Sequence, residues 1–188
     1  MKHRQSTEES LIADALGGDE NAFRVIVDRY MDEVSRTVTG MLGAGPEIDD
    51  VVQEVFIKLH RSLSSFRGDS SLKTYVIRMS INKSLDALRK RKRMRWMQPF
   101  GLADEREPEA SERSDQELDE SDRRKVLRAA VDRLPDKQRA VVVLRLIEDL
   151  STEETSQALG IPYGTVLSRL KRGVERLKNE LGDAGSLL

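Results

Sequence analysis

The sequence predicts an all-α protein made of two small helical domains joined by a flexible acidic linker, the C-terminal one a helix-turn-helix. Three observations carry this. Leu, Val and Ile recur at helical spacing through residues 6–95 and again through 121–182. Between them, residues 96–120 hold Pro99, Gly101 and Pro108 and are mostly acidic after Leu102, the composition of a disordered or extended spacer. Near the C-terminus a short capped helix, a glycine turn and a basic helix follow one another.

Composition narrows the class further. With 188 residues the chain is long enough for one large domain or two small ones. Aromatic residues make up only 4%, which suits bundles packed with aliphatic side chains. Cysteine is absent, which excludes disulfides and thiolate metal sites. The two histidines, His3 and His60, are too far apart in sequence to suggest a metal centre. No apolar run approaches the length of a signal peptide or a membrane span, so a cytoplasmic protein without direct membrane insertion is expected.

The net charge of −1 conceals a segregated pattern. Lys73 to Arg95 holds nine basic residues against Asp86, a balance of +8. Asp104 to Asp122 holds ten acids against Arg106 and Arg113, a balance of −8. The basic block points to a nucleic acid. The acidic linker reads as a plain spacer by default, or as a nucleic-acid mimic lying in a partner's basic channel.

The first helix opens on a capping-box pattern, Ser6-Thr-Glu-Glu9, and carries Leu11, Ile12, Ala15 and Leu16. Gly17-Gly18-Asp19 stops it, and a second helix runs from about Glu20 to Leu42 with Phe23, Ile26, Tyr30, Val34, Val38 and Met41 on one stripe. Glu47 to Leu63 is the clearest amphipathic helix, with Ile48, Val51, Val52, Val55, Phe56, Leu59 and Leu63 on the core side. Asp49 and Asp50 sit in its first turn, where the helix dipole favours acids. Asp49, Gln53, Lys58 and His60 face outward with Ile57 among them, either a contact surface or a solvated face with one apolar residue.

A loop, Ser64 to Ser71, follows, with a turn at Gly68 and a helix cap at Ser70 or Ser71. The next helix runs from Leu72 to about Arg93, with Leu72, Tyr75, Val76, Met79, Leu85 and Leu88 toward a core. Lys73, Arg78, Asn82, Lys83, Asp86 and Arg89 share a broad polar face that ends in the run Arg89 to Arg93. Five consecutive like charges repel, which favours an anionic partner over a merely solvated face.

In the second domain Val126, Leu127, Ala130, Val131 and Leu134 form one apolar stripe, and Pro135 starts the next helix. From Leu150 the chain takes helix-turn-helix grammar. Ser151 and Glu154 form a capping box, Ala158 is the small residue at the helix crossing, and Gly160 takes the left-handed turn. Ile161, Val166 and Leu170 pack the second helix onto the first, leaving Tyr163, Thr165, Leu167, Ser168, Arg169, Lys171 and Arg172 outward. Such a helix enters the major groove with its N-terminal half, while basic residues further along neutralise phosphates.

At this point the residues carry a family resemblance. The chain resembles an extracytoplasmic-function (ECF) sigma factor, the minimal two-domain class of the bacterial sigma-70 family. The matching stretches are Asp49-Asp-Val-Val-Gln-Glu-Val-Phe56, Phe66-Arg-Gly-Asp-Ser-Ser-Leu-Lys-Thr-Tyr75, Arg78-Met-Ser-Ile-Asn82 with Asp86 and Leu88-Arg89, Leu134-Pro-Asp-Lys-Gln-Arg139, and Ile161-Pro-Tyr-Gly-Thr-Val166. Tyr75 stands where the family often has Trp, Ser80, Ile81 and Lys83 depart from its usual pattern, and Leu167 falls where a basic residue is common. The chain ends soon after Leu181, which leaves no C-terminal sensory extension to expect.

The resemblance implies three working parts. Residues 6–95 would bind core RNA polymerase and recognise and open the −10 element, 96–120 would be the linker, and 121–182 would read the −35 element. Core binding would fall to Asp49, Asp50, Gln53, Glu54 and Lys58, facing the β′ coiled coil. The −10 DNA would meet Phe66, Arg67, Asp69, Ser70, Ser71, Lys73, Arg78, Asn82, Asp86, Arg89 and Lys90, with the Ser64–Ser71 loop as the pocket for a flipped non-template base. The −35 duplex would meet Tyr163, Gly164, Thr165, Leu167, Ser168, Arg169, Lys171 and Arg172. The implied partners are core RNA polymerase (the β′ coiled coil and the β flap), promoter DNA and an anti-sigma factor. No cofactor, metal or enzymatic step is expected, since no nucleophile–base set or phosphate loop is present and Asp49-Asp50 reads as a helix start. The alternative is a stand-alone helix-turn-helix regulator that binds duplex operators as a symmetric dimer. A sigma-binding protein without DNA contacts is disfavoured by the basic stripes.

Overall fold

The structure is a computed structural model and describes residues 7–97 and 120–182. Over these residues it is helical, as expected. The elements are α1 (Glu8–Leu16), α2 (Glu20–Leu42), α3 (Ile48–Ser62) with a 3₁₀ turn (Leu63–Ser65), α4 (Leu72–Met97), α5 (Glu120–Asp132), α6 (Asp136–Val142) with a π-helical turn (Val143–Ile147), α7 (Thr152–Leu159) and α8 (Tyr163–Leu181). The helix α4 continues two residues into the expected linker and α5 begins on its last residue, Glu120; residues 98–119 between them lie outside those described.

Local chemistry accounts for the helix ends. Thr7, one residue later than the pattern suggested, caps α1 by accepting the Ser10 N–H at 3.3 Å; Ser6 lies outside the described residues. Asp19 caps α2 through the Asn21 N–H at 2.8 Å. Asp49 and Asp50 occupy the first turn of α3, and His60 and Arg61 its last, each matched to the helix dipole. The histidine is also held by packing, since its ring meets Phe23 edge-on at 4.8 Å.

The helices α1 to α4 enclose a core of Leu11, Ile26, Val34, Val38, Met41, Val55, Leu59, Leu72, Ile77 and Ile81, all essentially inaccessible. This core continues into the C-terminal half: Ala140, Val143, Leu144, Leu150 and Ala158 belong to the same cluster. A smaller cluster of Ala130, Val131, Leu134, Val142 and Leu177 holds α5, α6 and α8 together. The stripe expected on α5 is therefore only partly buried. Ala130, Val131 and Leu134 are inside, whereas Val126 and Leu127 stay exposed, with Leu127 on the wall of an open cleft shared with Thr39, Gly40 and Leu146.

The seam between the halves is close-packed. At Gly40 of α2, an added Cβ would lie 3.1 Å from a Val143 methyl and 3.4 Å from Ile147 Cδ1, so the glycine permits the approach. Arg139 reaches across from α6 and donates to the Met41 carbonyl at 2.7 Å. The Arg36 guanidinium meets the fully buried Glu148 carboxylate at 3.4 Å. Burial pushes the Glu148 carboxyl above its ordinary value of 4.5, and Arg36 and Thr37 offset this only in part.

A carboxyl raised in the native state holds its proton more tightly there than when unfolded. Its contribution to stability is therefore present at low pH and is lost as pH rises from the ordinary carboxylate range through the raised value. Asp132, raised by burial, acts with the same sign; Glu47, held down by Arg91 against the effect of burial, acts oppositely. We expect the fall in melting temperature between about pH 4.5 and neutrality to be shallower in Glu148→Gln than in the parent chain. Parallel melting curves across this range would rule out a titrating Glu148 at the seam.

Candidate nucleic-acid interface

The outward face of α3 carries the five expected partner-binding residues. Asp49, Asp50, Gln53, Glu54 and Lys58 are all exposed, and Ile57 among them is 44% exposed. Glu54 is engaged within the chain, since Lys83 of α4 donates to it at 2.6 Å. Asp50 and Glu54 line a charged groove with Lys83, Asp86 and Lys90, so parts of α3 and α4 meet at one surface.

The loop after the 3₁₀ turn builds a cleft of about 560 Å³. Its wall is aromatic and cationic: the Phe66 and Tyr75 rings lie 5.1 Å apart, and the Arg78 guanidinium sits 5.6 Å from the Tyr75 centroid. The Tyr75 hydroxyl donates to Ser62 Oγ at 3.2 Å, which fixes the ring. Arg67, Asp69 and Ser70 complete the rim. A planar, uncharged ring can stack on such a wall while polar rim groups read its edge.

The two candidate caps are resolved by geometry. Ser71 Oγ accepts the Thr74 N–H at 3.1 Å and so caps α4, whereas Ser70 Oγ turns toward the Ser71 carbonyl at 3.4 Å and lines the cleft. A further group, invisible to sequence patterns, holds the same helix start. The Glu8 carboxylate accepts the Leu72 N–H at 3.2 Å and is itself bound by the Tyr30 hydroxyl.

The basic run on α4 is less available than its composition suggested. Arg91 forms an ion pair with Glu47 and donates to the Leu42 carbonyl at 3.3 Å. Lys92 meets Asp136 of α6 at 2.7 Å, and Arg89 meets Asp86 at 2.7 Å. Arg78, Asn82, Lys90 and Arg93 remain exposed, with Lys73 half-buried. The repulsion expected of five adjacent cations is thus partly relieved by Asp86 on the same helix and by Glu47 and Asp136 from elsewhere in the chain.

In the C-terminal half, the expected capping box is present. Ser151 Oγ accepts the Glu154 N–H at 3.1 Å, and Glu154 accepts the Ser151 N–H at 2.7 Å. These bonds hold the Glu154 carboxyl below the usual range. Gly160 takes the left-handed conformation at φ 61°, and Ser156 Oγ ties the turn by donating to the Ile161 carbonyl at 2.6 Å. Val166 is buried against α7, and Leu170 joins the smaller core. Tyr163, Gly164, Leu167, Ser168, Lys171 and Arg172 are exposed, and Thr165 and Arg169 half-exposed. Ser168 is already committed, since its hydroxyl donates to the Thr165 carbonyl at 3.1 Å.

The halves also meet at the cleft. Gln157 and Ala158 of α7 line it opposite Phe66 and Tyr75, so the helix-turn-helix closes one side of the loop site. Nothing in the sequence signalled this, because neither residue forms part of a local motif with the loop.

A helical unit with an aromatic-walled loop site and a basic helix, joined to a helix-turn-helix, is the organisation of a sigma-70-type protein. Residues 26–94 match Sigma-70 region 2 and residues 124–177 match Sigma-70, region 4. The chain is 35% identical over 178 residues to the ECF RNA polymerase sigma factor SigW of Bacillus subtilis (strain 168), covering 88% of this chain and 92% of the relative. It is 34% identical over 187 residues to the ECF RNA polymerase sigma-E factor of Escherichia coli (strain K12), covering 94% and 95%. In fold it is similar to CnrH, solved in complex with the cytosolic domain of CnrY, with a TM-score of 0.66 at 23% identity over 91% of this chain and 94% of that one. The sigma factor RpoE of Bartonella quintana, solved with the anti-sigma factor NepR, gives the same TM-score at 21% identity over 85% and 96%. The chain belongs to the ECF sigma factors, a family of transcription-initiation factors. Among the described residues, no helix is long and apolar enough to cross a membrane.

Proposed function

We propose that this chain is the promoter-recognition subunit of an RNA polymerase, docking on the core enzyme through α3 and reading a two-element promoter through α4 and α8. Within that reading, residues 6–95 bind the core and the −10 element, 96–120 span the gap, and 121–182 bind the −35 duplex. Asp49, Asp50, Gln53, Glu54 and Lys58 form the docking face on the β′ coiled coil. The observation that carries the proposal is the cleft at the start of the basic helix, where Phe66, Tyr75 and Arg78 form a stacking wall. Extruding a base from duplex DNA costs a few kcal/mol, and a preformed stacking wall offsets that cost at the −10 element.

The remaining roles follow from charge and exposure. Arg78, Lys90 and Arg93 are presented to phosphates, and Asn82 to a base edge. Tyr163 to Arg172 enters the −35 major groove, with Arg169, Lys171 and Arg172 toward phosphates and bases. Because α7 lines the loop cleft, engaging both elements at once requires the two halves to separate on the polymerase. The chain acts on the cytoplasmic side, performs no covalent chemistry of its own, and is a substrate for restraint by an anti-sigma factor.

The test is transcription in vitro. With core polymerase the purified chain is expected to initiate RNA synthesis from a specific two-element promoter, and alone to leave promoter DNA unmelted. Failure to bind core enzyme on gel filtration would reject the proposal, and dimeric operator binding without polymerase would favour a stand-alone regulator. Arg172→Ala is expected to reduce −35-dependent transcription by roughly fivefold or more, with core binding intact, as for loss of one groove or phosphate contact.

A further inference from the structure

Base capture at the loop needs a cleft that is already shaped, yet Ser64 to Ser71 is a surface segment whose own bonds are few. Its ends are held from outside. At the entrance, α1 packs against the 3₁₀ turn Leu63–Ser65. At the exit, Glu8 of α1 accepts the N–H of Leu72, the first residue of α4 and fully buried. The second Glu8 oxygen accepts the hydroxyl of Tyr30, which is 6% exposed and fixed in the core of α2. Burial first, then the bond to Glu8, pushes the Tyr30 hydroxyl up, so it stays protonated and remains a donor.

From these contacts we infer that Glu8 is a positioning residue for the base-capture loop: its carboxylate, oriented by Tyr30, clamps the loop exit so that the tilted Phe66 and Tyr75 rings keep their 5.1 Å contact and the cleft its shape. The physical reason is economy of ordering. A loop that must be ordered when the base arrives subtracts that ordering from the binding it provides, whereas a clamped loop does not. Glu8 does not line the cleft, so any effect it has on base capture passes through the geometry of the loop exit. Ser71 cannot replace it, because its hydroxyl is spent on the Thr74 N–H one turn further in.

This inference rests on the proposed base capture, and the experiment separates the two. Holoenzyme formed with the full chain is titrated with fork-junction promoter fragments carrying an abasic site at each −10 position in turn. The parent chain should show one position at which removing the base weakens binding by about tenfold, the scale of one stacked base. Glu8→Ala should shrink the penalty at that position to less than about threefold, with unchanged core affinity and unchanged response at the other positions. Tyr30→Phe, which removes only the hydroxyl, should move it in the same direction. If Glu8→Ala weakens every fragment equally, or leaves the penalty intact, the positioning role is wrong and Glu8 serves stability or nothing measurable. If the parent chain shows no sensitive position, the base-capture reading itself fails.

Discussion

Arg139→Met is expected to lower the melting temperature of the chain by about 10 °C or more, the largest effect we foresee for a single side chain outside the aliphatic core. The guanidinium is buried, with 6% of the residue exposed, and donates to three backbone carbonyls. These belong to Met41 at 2.7 Å, Leu134 at 3.1 Å, and Asp132. Two of them lie at the α5–α6 turn and the third at the end of α2, so one side chain ties the turn to the other half. Methionine retains the apolar stem but leaves all three acceptors without their donor. Leaving a buried polar group unmet costs about 1–3 kcal/mol, and three acceptors lose their donor here. Against a total stability of roughly 5–15 kcal/mol, that is a large fraction. Differential scanning calorimetry of Arg139→Met beside the exposed control Arg176→Met gives the answer, and a difference below about 2 °C would show that the three bonds contribute little.

Tyr75→Ala is expected to reduce promoter opening by roughly 10- to 100-fold at unchanged core affinity, from the loss of one aromatic stacking surface. The ring holds together the cleft wall: it meets Phe66 at 5.1 Å and Arg78 at 5.6 Å, and its hydroxyl reaches Ser62. Tyr75→Phe separates the contributions, because it retains the stacking face and removes only the hydrogen bond at 3.2 Å. Permanganate footprinting of the −10 region reads the opening directly. Similar opening by the parent chain and Tyr75→Ala would move base capture away from this cleft, and an equal loss in Tyr75→Phe would assign the role to the Ser62 bond instead.

Much of the candidate site was legible in the sequence because its parts are local. The capping box of Ser151 and Glu154, the left-handed Gly160 and the acids at the start of α3 are fixed by residues within one or two turns, and all appear as read. The loop cleft was approachable for the same reason, since Phe66 and Tyr75 are nine positions apart and flank one turn. Ser71 shows the limit: a serine before a helix is equally a cap or a ligand group until its hydroxyl is seen on the Thr74 N–H.

The basic helix marks the boundary between the two kinds of information. By itself the sequence determined the helices, the Ser151–Glu154 capping box, the segregated charge and the family, because helical periodicity and motif spacing are written along the chain. Only the tertiary structure decided which cations remain available and what holds the loop. Arg91 and Lys92 are spent on Glu47 and Asp136, each 44 positions away, and the loop exit hangs on Glu8, 64 positions before Leu72. The physical reason is that an ion pair or a hydrogen bond acts over a few ångströms. Its partner is therefore set by where the packed cores bring distant helices together, which no local pattern records.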